Sequence, residues 1–300
     1  MTNIAVKRNS QNYKLLLRFL NHRLAVAGAL VLVIITFCAL FAPLIAPQNP
    51  YDLTAIDISN SLIPPIWEEG GHAPFLLGTD VQGRDILSTM LYGTRISMFV
   101  GISTVLLSGF IGTTIGLLTG YLGGWVDMVM MRIGDSLLSF STTLIAMLFL
   151  GLFNSGNIFL VIFAISFSGW VQYARTMRSS VLSVREEDYV TGARVIGASH
   201  MRVAFRHIVP NAISPLLVII AIDFGVVIML ESTLSFLGIG VPITEPSLGM
   251  MIAQGKDYIY ANMWYLILFP GAVLISIVIS LNLLADWLRD EVDPRAKNRR

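Results

Sequence analysis

Long unbroken runs of apolar residues alternate with short polar islands along this chain, and the lengths of the runs set its class. Residues 24–44 form a charge-free stretch of 21 residues. At 1.5 Å per residue that is enough helix to cross a hydrocarbon core of roughly 30 Å. The h-region of a cleaved signal peptide is only about 7–15 residues long, so the pattern predicts a retained first span. Further apolar runs predict spans at 97–121, 128–153, 158 to near 170, 213–236 and 264 to near 287. The second run is rich in glycine, with Gly112 and Gly116 as a small-xxx-small pair, which predicts a span packed closely inside the bundle.

The polar island at 188–211 interrupts this pattern. Tyr189, Gly192, Ala193 and Ile196 stand at i, i+3, i+4, i+7, and Met201, Ala204, Phe205 and Ile208 repeat the spacing. Two short amphipathic helices are therefore expected. Gly197 falls between them, where a helix can end in a left-handed residue, and Ser199 is placed to cap the second helix. Pro210 lacks an N–H and should hold Val209 extended, separating the second helix from the next span. Period and punctuation alone fit a solvated loop and a partner-binding loop equally well.

Composition agrees with a membrane protein. Of 300 residues 55% are hydrophobic and 13% charged, where a soluble domain carries about 25% charge. The mean hydropathy is +0.72. A transmembrane barrel would show short alternating segments instead. The net charge of +1 gives no argument for nucleic acid, because the basic residues lie where topology wants them. One cysteine, Cys38, excludes a disulfide framework.

Charge sets the orientation. Seventeen of the 20 lysines and arginines fall in the N-terminus, the 2–3 connection, the island with its approach, and the tail. The other three are Arg84, Arg95 and Lys256. The rich side is cytoplasmic by the positive-inside rule. The expected layout is an all-α polytopic protein of six transmembrane helices with both termini inside. It comprises a cytoplasmic segment 1–23, a first helix 24–44, an extracytoplasmic loop 45–95, a five-helix core 96–288 with a cytoplasmic loop 172–212, and a tail 289–300.

Chemical motifs are scarce. There is no GxxxxGK[ST] phosphate loop, no HExxH and no GxSxG elbow, and His22, His72, His200 and His207 lack metal-ligand spacing. No catalytic group, metal set or cofactor is expected. Asp223 and Glu231 lie within the fifth span, where acids mark a bundle interior or a pathway. They are eight residues apart, roughly 80° around a helix, so they do not share one face. A structural role suits Glu231. A relay using both would make the chain an ion-coupled secondary transporter, although the inverted symmetry expected of many such folds is not visible.

Four stretches resemble one family. They are Leu77-Gly78-Thr79-Asp80 with Gly83-Arg84-Asp85, then Ser88, Gly93, Arg95 and Ser97; the island, with Gly197 and Pro210 thirteen apart; ESTLSFLGIG from Glu231, followed by Pro246, Ser247, Gly249 and Met250; and Asn282, Asp286, Leu288, Arg289, Asp290, Asp293 and Pro294. Together they resemble the C-type permease subunits of dipeptide, oligopeptide and nickel binding-protein-dependent ABC importers. The general EAA pattern is replaced here by Thr191-Gly192-Ala193. The resemblance implies a type I importer permease fold in a bacterial or archaeal inner membrane. It also implies half of a translocation pore, beside a homologous B-type permease, two ATP-binding subunits and an extracytoplasmic solute-binding protein. Asp188, Tyr189, Ala193, Arg194, Gly197, Ala198, Arg202 and Pro210 would form the ATPase-coupling loop. Gly78, Thr79, Asp80, Gly83, Arg84 and Asp85 would form an outer motif that braces the bundle or meets the binding protein. An Arg84 pair with Asp80 or Asp85 at the surface would contribute no more than ~1 kcal/mol.

Overall fold

The computed structural model describes residues 13, 16–52, 54, 56–153, 157–242 and 244–292. Lys7, Arg8, Lys14, residues 154–156, Asp293 and the rest of the tail lie outside them. Among the described residues there is no β-strand, only an isolated bridge between Thr79 and Asp85. Five helices are long and apolar enough to cross a membrane, or six if one bent pair counts as a span.

Helix α1 (Arg23–Leu40) packs on the last helix and runs into a short outer turn of helix, Ala42–Ile45. Helix α2 (Ile86–Leu122) has 37 residues and starts well before the expected 97. Its first turns are polar, with Ser88, Thr89, Thr94 and Arg95, so no apolar run announces them. What starts the helix is Asp85, whose carboxylate accepts from the Ser88 N–H at 2.8 Å. The outer loop read as 45–95 therefore gives way to helix at Ile86.

The third span is not one rod. Helices α3 (Gly124–Leu138) and α4 (Thr142–Phe153) meet at 88°. Ser136 and Ser139 hydroxyls donate back to the Arg132 and Asp135 carbonyls at 3.0 and 2.9 Å, and such back-bonding bends helices. Helix α5 (Ile158–Arg185) continues past the expected 170, so residues 172–185 are helix and not loop. Helices α2 and α5 form the densest contact in the bundle. A Cβ on Gly112 would stand 2.3 Å from the Trp170 carbonyl oxygen, and one on Gly116 2.4 Å from that of Ala174. Close backbone approach is what small residues permit between membrane helices.

The island supplies α6 (Asp188–Val195) and α7 (His200–Val203). A π-helical turn, Ala204–Ile208, and a further α turn, Val209–Ala212, prolong α7. Val209 is helical at φ −53°, ψ −48°, so Pro210 does not end the element as expected. Pro210 sits at the start of the Val209–Ala212 turn, where the preceding π turn absorbs the missing N–H. Helix α8 (Ser214–Phe236) follows. Then come α9 (Leu248–Gly255) and a 3₁₀ segment, Lys256–Ala261, on the outer side, and finally α10 (Tyr265–Val292).

Candidate functional site

The α6–α7 pair is closed locally before it packs. The Ala198 N–H bonds the Ala193 carbonyl at 3.1 Å and the Gly197 N–H that of Arg194 at 2.9 Å. With Gly197 at φ +87° this is a Schellman ending, as the glycine predicts. Ser199 then accepts from the Arg202 N–H at 3.4 Å, so the expected cap is in place.

Two apolar faces result, and they differ from the expected stripes. Val190, Val203, Ile208 and Ala212 are buried in the same core as Tyr173, Met177 and Val181 of α5, half-buried Ala198 packs there too, and Ala204 is also buried. Tyr189, Ile196, Met201 and Phe205 point outward, with Ile196 88% exposed and Met201 69%. The π turn adds a residue to one helical revolution, which takes Phe205 off the face that keeps Ile208 inside. Ala193 is half-buried, and Asp188, Arg194, Arg202 and Pro210 are exposed.

A joint unforeseen from the sequence ties this pair to the inner end of α2. The Tyr121 hydroxyl lies 2.8 Å from His200 Nδ1. The Arg194 guanidinium stands 5.7 Å from the Tyr121 ring centroid. From α5, Arg185 donates to the Gly120 carbonyl at 3.2 Å. A histidine beside arginines reads in one dimension as a solvated face, and only the packed helices bring Tyr121 to it. Nearby, Arg175 pairs with Asp135 and Arg178 with Asp127, joining α5 to the bent α3.

The outer motif lies at the opposite end of α2. Gly78 and Gly83 take positive φ in the turn. Thr79 donates to the Asn60 carbonyl at 2.5 Å and accepts from the Ile63 N–H at 2.8 Å. Asp80 accepts from the Gln82 and Arg84 N–H groups and pairs with Arg84 Nε at 2.7 Å. Both side chains of that pair are buried, 4% and 6% exposed, which corrects the expectation of a surface pair. Arg84 also reaches Gln254 of α9 at 3.4 Å. Asp85 binds Ser88 through Oδ2, while its buried Oδ1 has no hydrogen-bond partner among the described residues. Burial pushes its carboxyl above the ordinary range, against the hydrogen bonds from Ser88.

The two intramembrane acids sit apart. Asp223, half-buried, accepts from the Tyr173 hydroxyl at 2.7 Å. Glu231 is fully buried and accepts from Ser97 at 2.9 Å, Ser235 at 2.8 Å and Ser232 at 3.4 Å. This ring of hydroxyls knits α8 to α2, and none of these hydrogen bonds joins Glu231 to Asp223.

Comparison with known proteins agrees with this architecture. Residues 112–298 match the binding-protein-dependent transport system inner membrane component, and residues 12–65 match the N-terminal transmembrane domain of oligopeptide transport permease C. The chain is 38% identical over 280 residues to the di/tripeptide transport system permease protein DppC of Pseudomonas aeruginosa, covering 93% of this chain and 91% of the relative. It is 40% identical over 282 residues to the dipeptide transport system permease protein DppC of Escherichia coli K12, covering 93% and 91%. The crystal structure of an amino acid ABC transporter with histidines superposes with a TM-score of 0.50 at 16% identity, over 66% of this chain and 91% of that one. The chain thus belongs to the family of inner-membrane permease components of binding-protein-dependent ABC importers, and its fold is that of a type I importer permease. Nothing in these comparisons supports the ion-coupled reading of Asp223 and Glu231.

Proposed function

We propose that this chain forms half of the pathway by which di- or oligopeptides enter the cell, driven by ATP hydrolysis in partner subunits. A homologous B-type permease supplies the other half, two ATP-binding subunits sit below, and an extracytoplasmic binding protein delivers the peptide. The observation that carries the reading is the exposed apolar face of α6–α7, formed by Tyr189, Ile196, Met201 and Phe205. An amphipathic helix pair presented this way suits insertion into a groove on another subunit. The chain has no phosphate-binding loop of its own, so the energy has to come from such a subunit. Rigid-body motion of that subunit would then swing the spans between two states.

The peptide assignment rests on relatives that are named as dipeptide and di/tripeptide permeases. The outer Gly78–Asp85 turn is assigned to bracing, because its ionic groups are turned inward onto α2 and α9. The test is uptake of a labelled dipeptide by cells carrying Met201→Glu or Phe205→Glu. Both side chains face outward, so the variants should reach the membrane at normal levels while uptake falls at least tenfold. Uptake at wild-type rates would remove the docking role from this face.

A further inference from the structure

A groove of about 450 Å³ opens between α1 and α2, toward the outer leaflet and away from the coupling surface. Leu40 of α1 and Phe99 and Ile102 of α2 form its body, and all three are substantially exposed. Its mouth is polar. Tyr51, Tyr92 and Arg95 stand there, and the Tyr51 hydroxyl donates to Glu245 at 2.8 Å. The Tyr51 and Tyr92 rings meet edge to face at 5.6 Å. Arg95 is exposed and belongs to none of the ion pairs among the described residues. It lies nine residues into α2, about 14 Å from the helix start.

We propose that this groove binds one zwitterionic phospholipid, with an acyl chain along Leu40, Phe99 and Ile102, the phosphate on Arg95 and a primary ammonium on Glu245. The volume falls within the range of small-molecule pockets, about 300–1,000 Å³. A helix with its side chains is roughly 10–12 Å across, so the same space would hold only about one turn of a partner's helix. The apolar wall gives shape without selectivity, because an acyl chain arriving there leaves surroundings just as apolar. Selectivity comes from the mouth. A guanidinium matches phosphate geometry, and the Glu245 carboxylate keeps acceptor capacity beyond the Tyr51 bond. Arg95 on the lining and Glu245, one hydrogen bond beyond it through Tyr51, supply opposite charges that match a headgroup carrying both signs.

The test uses the intact chain, extracted with whatever subunits co-purify and placed in nanodiscs of mixed phosphatidylethanolamine and phosphatidylglycerol. Native mass spectrometry then counts the lipid retained. Wild type should hold one phosphatidylethanolamine. Arg95→Gln and Ile102→Trp, the second filling the slot, should each reduce that occupancy at least fivefold, while Ile102→Ala should not. Glu245→Gln should shift retention toward phosphatidylglycerol. Equal retention in all variants would overturn the site. So would efficient cross-linking of Phe99→Cys to a partner permease, which would make the groove a subunit contact. Melting temperature of each variant separates lost lipid from lost fold. The outcome does not depend on what solute is carried.

Discussion

The Asp80–Arg84 pair is where a single residue matters most outside the coupling surface. Breaking a buried ion pair strands one charge, at a cost of about 3–5 kcal/mol, whereas replacing both partners with apolar groups is often neutral. Arg84→Met should therefore lower the melting temperature of the purified protein sharply, and Asp80→Leu added to it should restore much of the loss. An unchanged melting temperature for Arg84→Met would mean the pair is not holding the turn. Asp85 makes the opposite kind of statement. Because its carboxyl titrates above the ordinary range, the folded state binds a proton more readily than the unfolded chain. Stability contributed by this group is thus lost as pH rises from the ordinary carboxylate range through the raised value. Asp85→Asn keeps an acceptor for the Ser88 N–H and carries no charge. It should remove that decline, so thermal melts of the two proteins diverge with rising pH in favour of the variant. Sequence pattern found the turn and its ionic residues. It placed them at the surface because composition cannot report that Gln48, Ser88 and Gln254 close over them.

Among the helices, the close packing of α2 was legible, but neither its partner α5 nor the shapes of several others were. Gly112 and Gly116 announced a close approach, and the Trp170 and Ala174 carbonyls occupy the space their missing side chains leave. Gly112→Ala should destabilise the bundle and reduce the folded fraction recovered from membranes. Gly151→Ala is the matched control. It meets nothing within 4 Å in a helix, so it should be neutral or stabilising by up to ~1 kcal/mol. Equal recovery of both variants would count against backbone contact as the basis of this interface. The bend between α3 and α4 escaped the hydropathy pattern because serines bonded to their own helix are as compatible with an apolar run as with a corner. The helical Val209 escaped for a related reason. Proline forbids a hydrogen bond, and whether the chain answers by extending or by widening a turn is decided by the packing of Ile208 and Ala212 beneath it.

At the scale of the whole molecule, the expectation of six spans and of sidedness rests on run length and charge, because the bilayer imposes both on sequence; among the described residues five helices qualify as spans, or six with the bent pair. The assembly of the coupling surface does not follow in the same way. Tyr121 and His200 are 79 residues apart, and nothing local to either marks the other.

Helix α2 has a mechanical consequence. Its 37 residues make a rod of about 55 Å, well beyond a hydrocarbon core of roughly 30 Å. One end is clamped by the Asp80–Arg84 turn and the other by Tyr121, His200 and Arg185. A stiff beam fixed at both ends relays tilt without needing a chain of intermediate switches. Spin labels on the outer turn should therefore change separation when nucleotide binds on the far side of the membrane. Leu106→Pro, a hinge cut into the exposed middle of the beam, should silence that response while nucleotide binding persists. A surviving response would mean the outer loops learn of the cycle through another helix.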